Sequence, residues 1–176
     1  IISYGKTGER KFSLSLEDLI LESGKIHCIY GTNGCGKTSL LKIIAGAMIP
    51  TNGDIKWSFA DPPKPGLGHV FVTQALPFPH WTVERNISEP LILQGRNEED
   101  VALKTANIIK MLGLAGMEKR FSHQLSAGQQ QRTVLARALV LAPKVLLLDE
   151  IMSGQSEYWG KKIGAFLKLY IAKGGL

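Results

Sequence analysis

Eight consecutive residues, Gly31-Thr32-Asn33-Gly34-Cys35-Gly36-Lys37-Thr38, carry the strongest chemical pattern in this 176-residue chain. They fit G-x-x-x-x-G-K-[ST] at every fixed position. Gly31, Gly34 and Gly36 let the backbone curl so that successive N–H groups, with those of Asn33 and Cys35 among them, point into one concavity suited to phosphate oxygens. A helix beginning near Lys37 adds the positive end of its dipole. Lys37 would reach the β- and γ-phosphates of a nucleotide, and the Thr38 hydroxyl would ligate Mg²⁺. Ser39, next at the helix start, is counted with the cradle. Farther along, Val145-Leu146-Leu147-Leu148 ends in Asp149 and Glu150. Such a strand places a carboxylate at the carboxyl edge of a parallel sheet, where α/β folds bind ligands. Asp149 would hold Mg²⁺ opposite Thr38, and Glu150 is suited to polarising an attacking water. Ser126 and Gln129 form an S-x-x-Q capping box, so a second helix N-terminus, with the N–H groups of 127–129, offers a second anion site.

Those residues need particular elements behind them. Residues 25–30 read as a short buried strand leading into the loop, and 39–45 as the helix leaving it. Upstream, 1–8 reads as part of a strand, and 11–21 alternates in its first half (Phe12, Leu14, Leu16) as an antiparallel strand with one wet face does. A strand is expected at 55–59, a Pro- and Gly-rich loop at 61–68, and a strand at 70–72 closed by Thr73-Gln74. Residues 83–94 and 98–112 carry apolar residues at helical spacing, interrupted by Gly95-Arg96-Asn97. The helix opening at 125–129 is ended by Pro143. The run 145–150 has the continuous apolar character of a buried parallel strand, and a last helix covers 158–172. The expected organisation is one domain over 1–176, with an α/β core at 1–76 and 122–176 and a helical lobe at 77–121.

Composition fits that reading. Hydrophobic residues make up 44% and charged residues 20%, which supplies a globular core. No apolar run reaches bilayer-spanning length. The net charge of +6 is not gathered into a basic run, and phosphate ligands or an anionic membrane surface explain it as well as nucleic acid does, so the charge does not discriminate; nucleic acid is not among the expected partners. The two cysteines, Cys28 and Cys35, flank a tight turn and are poor disulfide partners, in keeping with a reducing cytoplasm. Cys28 is expected to be buried. Cys35, beside Lys37 and a helix N-terminus, is expected to react with alkylating agents and to be protected by nucleotide. The chain begins at Ile1 rather than Met, so the true N-terminus is expected to lie outside this sequence.

Leu125-Ser126-Ala127-Gly128-Gln129, lying between a phosphate loop and an apolar strand ending in Asp-Glu, resembles the ATP-binding subunits of ATP-binding cassette (ABC) transporters. The resemblance spans 31–150. It implies a P-loop NTPase (RecA-like) core with a mixed sheet, an antiparallel N-terminal β part and a helical subdomain. In that family residues 31–38 match Walker A, and 146–150 match Walker B with the catalytic glutamate. Gln74 matches the Q-loop glutamine that reaches Mg²⁺ and the water, and Tyr4 the aromatic that stacks on adenine, with Phe12 as the alternative. Ser126, Gly128 and Gln129 would bind the γ-phosphate of ATP held by a partner. The implied assembly is a head-to-tail dimer, of two copies or with a paralogous ATPase subunit, sandwiching two ATPs and docking transmembrane permease subunits on its helical lobe. The implied activity is Mg-dependent ATP hydrolysis energising solute transport, at the inner, cytoplasmic face of the membrane.

Two departures accompany the resemblance. The family's Pro and Asp-containing D-loop after the glutamate are replaced by Ile151-Met152-Ser153-Gly154-Gln155-Ser156, and no switch histidine occurs before Leu176. The C-terminal end of the domain is therefore expected to lie outside this sequence, and the chain as written to hydrolyse ATP poorly. The alternative function is a soluble ABC-type ATPase acting on ribosomes, DNA or an assembly scaffold; a small-metabolite kinase has no use for the Ser126 motif. The segment 79–87 resembles importer subunits for small polar solutes.

Overall fold

The computed structural model describes residues 2–4, 12–58, 69–73, 79–151 and 156–172. The N-terminal part is an antiparallel hairpin of β1 (Ile2–Tyr4) and β2 (Phe12–Leu14), in register Ile2 to Leu14 and Tyr4 to Phe12. The helix α1 (Lys37–Ile44) follows the glycine-rich loop. A second ladder pairs β3 (His69–Val72) in parallel with β4 (Val145–Leu148), Val72 facing Leu148.

Helices cover both faces of this parallel pair. Val70, Val72, Leu146 and Leu148 pack toward Val134 and Ala138 of α4 (Ala127–Leu139). Phe71, Val145 and Leu147, the alternate residues, pack with Ile44, Leu40 and Leu41 of α1. Two covered faces explain why β4 reads as unbroken apolar sequence rather than as alternation. One face thus carries the phosphate-loop helix and the other the helix that follows Ser126.

The helical lobe folds on strong local signals. In α2 (Val83–Leu93) the Thr82 hydroxyl caps the N-terminus by accepting from the Arg85 N–H at 3.2 Å. In α3 (Glu98–Met111) Asn97 does the same for the Asp100 N–H at 2.8 Å, and Glu98, Glu99 and Asp100 sit at the positive end of the dipole. Gly95, at φ +71°, makes the turn between them. Val83, Ile87 and Leu91, spaced four apart on one stripe of α2, are fully buried with Leu112, Leu114 and Leu135. Ile163 of α5 (Glu157–Ala172) joins the same cluster, and the Trp159 ring lies over Gly113, where a Cβ would collide with it.

Two expected strands do not form. Residues 25–30 and 55–58 form no regular structure and have no ladder partner among the described residues. Ile26, Ile29 and Tyr30 are exposed, Tyr30 to 89%. Cys28 is exposed too, contrary to expectation, and its side chain raises the Tyr30 phenol above its ordinary range. Strand propensity is realised only against a neighbouring strand and a covering face, and 25–30 have neither here. Among the described residues the antiparallel and parallel ladders form two two-stranded sheets.

Candidate active site

The loop forms the cradle its glycines allow. Gly34 and Gly36 take φ values of +80° and +100°, which side chains with a Cβ rarely adopt. A Cβ at Gly31 would lie 2.5 Å from Cys35 Sγ, so the loop closes tightly on its own thiol. Gly36 is also the N-cap of α1 and offers no side-chain cap, which leaves the first helical N–H groups to a ligand. Lys37 Nζ donates to the carbonyls of Gly31 at 3.0 Å and Thr32 at 3.1 Å, folding over the loop it serves. Asn33, Gly34, Gly36, Lys37, Thr38, Ser39 and Glu150 line one cleft of about 370 Å³.

Thr38 joins the two halves of the motif. Its Oγ1 donates to Oδ2 of Asp149 at 2.8 Å, across 111 residues of sequence. Asp149 is only 8% exposed and lies just past the end of β4, where its N–H still donates to the Val72 carbonyl at 2.9 Å. A hydroxyl and a carboxylate oxygen side by side are hard ligands that suit Mg²⁺, which takes one or two protein oxygens and completes its shell with water and phosphate. Among the described residues no cluster of three or more His, Cys, Asp or Glu offers a fuller protein cage.

Glu150 turns sharply out of the strand at φ +54°. A glutamate in the left-handed region costs about 1–2 kcal/mol, and strain of this kind gathers at functional sites. The turn brings Glu150 onto the wall of the cleft while Asp149 stays buried against β3.

Ser126 presents a different geometry. Its hydroxyl accepts from the Gln129 N–H at 3.3 Å, and Gln129 Oε1 accepts from the Ser126 N–H at 2.8 Å, closing the capping box. Ser126 is exposed, and neither it nor Gly128 nor Gln129 lines the Lys37 cleft. Thus the structure assembles Lys37, Thr38, Ser39, Asp149 and Glu150, but not the second anion site with them. Gln74 lies outside the described residues. Tyr4 and Phe12, the two adenine-stacking candidates, are register partners in the hairpin, and their side chains are outside the description. Sequence reasoning missed the Gly31 and Thr32 carbonyls as acceptors for Lys37, because backbone oxygens leave no mark in residue types.

The chain matches the family model described as ABC transporter over residues 15–153. It is 42% identical over 141 residues to the Fe(3+) ions import ATP-binding protein FbpC 1 of Haemophilus influenzae, covering 77% of this chain and 43% of that one. It is 42% identical over 146 residues to the sulfate/thiosulfate import ATP-binding protein CysA 2 of Chromobacterium violaceum, covering 80% and 39%. With the spermidine/putrescine import ATP-binding protein PotA of Nitrosospira multiformis it shares 40% over 135 residues, covering 74% and 37%. The chain therefore spans about two fifths of the length of the curated relatives it matches. Among solved structures, a dimeric ATP-binding cassette in a post-hydrolysis state bound to ADP and Pi superposes with a TM-score of 0.80 at 29% identity, covering 99% of this chain and 81% of that one. A subunit of a Clostridium perfringens ABC transporter complex, cbiO1, superposes at 0.78 and shows the same fold at 24% identity, covering 99% and 72%. The chain belongs to the ABC transporter family, and what it holds is that family's P-loop ATP-binding domain.

Proposed function

We propose that this domain binds MgATP in the 31–38 loop and hydrolyses it to drive import of a solute, as the nucleotide-binding part of a transporter. The observation that carries the reading is the 2.8 Å bond from Thr38 to Asp149, which sets a hydroxyl and a buried carboxylate together at the mouth of the phosphate cradle. Mg²⁺ held there would neutralise charge on the nucleotide's phosphates. The chain's own groups do the rest. The N–H groups of 33–39 and Lys37 hold the β- and γ-phosphates, and Glu150 on the cleft wall orients water for attack and takes its proton. Gln74 would reach the same water, and Tyr4 would stack on the base. Import rather than export is favoured by the names of the relatives and by the 79–87 segment.

The α4 N-terminus supports a head-to-tail pair. Ser126 is exposed, and Ser126, Gly128 and Gln129 lie outside their own chain's cleft, so a second copy or a paralogue would bring them to the γ-phosphate. Permease subunits would dock on the helical lobe. There a groove of about 460 Å³ runs along Ala102, Thr105, Ala106 and Ile109 of α3, between Glu84 and Glu118. Lys110 lines the same groove, and Lys119 donates to Glu84 at 2.8 Å, so its rim carries both signs of charge. No helix among the described residues is long and apolar enough to cross a membrane, so the pore would belong to other segments or chains.

Glu150→Gln in the full-length protein tests the assignment. ATP binding is expected to persist while turnover falls by about 10²–10⁴-fold, the range for losing a general base. Turnover at the parent rate would remove Glu150 from that role.

A further inference from the structure

The segments 79–82 and 120–124 run side by side where the helical lobe meets α4. Val83 N–H donates to the Arg120 carbonyl at 2.9 Å, Ser122 N–H donates to the Trp81 carbonyl at 3.3 Å, and Thr82 and Phe121 form an antiparallel bridge. The buried Asn86 amide shares its N–H groups among the carbonyls of Pro79, Trp81 and Thr82, at 3.4, 3.2 and 3.0 Å. This frame fixes two histidine backbones on different segments. The rings of His80 and His123 stand with centroids 5.5 Å apart and planes tilted by 43°. Phe121 stacks along His123 at 5.9 Å and limits how that ring turns. Both histidines are exposed, so ions and water reach them.

We propose that His80 and His123 together ligate a borderline divalent transition-metal ion of the nickel–copper–zinc series. A metal–nitrogen bond is ~2.0–2.1 Å, so a ligated ring centroid lies about 3.2 Å from the metal, and two such rings at a tetrahedral angle have centroids about 5.2 Å apart. The observed 5.5 Å lies close to that spacing, so rotation of the exposed rings to turn one nitrogen of each inward would form the site without moving either backbone. No third His, Cys, Asp or Glu joins them among the described residues, so water completes the shell. Imidazole favours nickel, copper and zinc, whereas magnesium prefers oxygen, so the Mg²⁺ that accompanies nucleotide does not compete. The ion clips the start of the helical lobe to the segment leading into α4, three residues before Ser126. This site stands independently of the nucleotide reading.

Isothermal titration of the full chain with NiCl₂, with 5 mM-scale Mg²⁺ present (an amount of roughly that order suffices, since Mg²⁺ binds imidazole weakly), tests it. One saturable Ni²⁺ site is expected, weakened about tenfold or more by His80→Ala and equally by His123→Ala, about 1.4 kcal/mol each. His27→Ala, altering an exposed histidine that bonds instead to Glu22 at 3.0 Å, should leave the affinity unchanged. Absence of Ni²⁺ uptake by the parent up to about 1 mM overturns the proposal. So does retained affinity in either of the two variants, or an equal loss in His27→Ala.

Discussion

Two helix N-termini in this molecule could each hold a phosphate, and they are built in opposite ways. At α1 the cap is Gly36, without a side chain, and the free N–H groups open into a cleft with Lys37, Thr38 and Glu150 around it. At α4 the cap is Ser126, whose hydroxyl and the Gln129 side chain already bond to the backbone, and the helix end faces open solvent. The first end is left unsatisfied in its own chain and surrounded by groups that would hold a ligand. The second is closed by its own capping box and lies outside the Lys37 cleft. A self-capped helix end becomes a binding surface only when something else supplies the rest of the site. The contrast explains how one chain carries two phosphate-grade motifs without two pockets.

Substitutions can break this contrast. Lys37→Ala removes the one ammonium that lines the α1 cleft among the described residues and should weaken ATP binding by about tenfold or more, read by nucleotide titration, since charge-assisted contacts to phosphate are the strong ones. Ser126→Ala should leave ATP binding nearly unchanged but lower turnover, and should cost about 1 kcal/mol of stability through the lost cap, read by chemical denaturation. Equal loss of ATP binding in both variants would erase the distinction between the two ends. Gly34→Ala acts through backbone strain rather than through a lost contact. A Cβ there meets nothing within 4 Å, so only the φ of +80° resists it, and a stability loss of about 1–2 kcal/mol is expected.

Much of this site was legible in the residue string because its signals are local. The helix start at Ser126 follows from capping chemistry, and the observed cap makes the bonds that chemistry anticipates, whereas the caps at Thr82 and Asn97 emerge only in the structure. β3 and β4 were legible as apolar runs because helices cover both their faces. Residues 25–30 carry an equally apolar run, yet no neighbour pairs with them among the described residues, and composition cannot report a partner. The bond from Thr38 to Asp149 followed from motif logic, whereas the left-handed turn at Glu150 did not, since glutamate has no preference for that conformation. The pairing of His80 with His123 was equally hidden, being set by the packing of two segments distant in sequence.

The central claim is that the cleft is half of a site and that Ser126 from a second copy completes it. Sedimentation of the Glu150→Gln protein with MgATP tests this most directly, because blocked turnover should trap the closed pair. The account predicts a monomer without nucleotide, a dimer with ATP, and a return to monomer when Ser126→Ala is added to the same chain. A Glu150→Gln protein that binds ATP yet stays monomeric, or a dimer indifferent to Ser126, would contradict it.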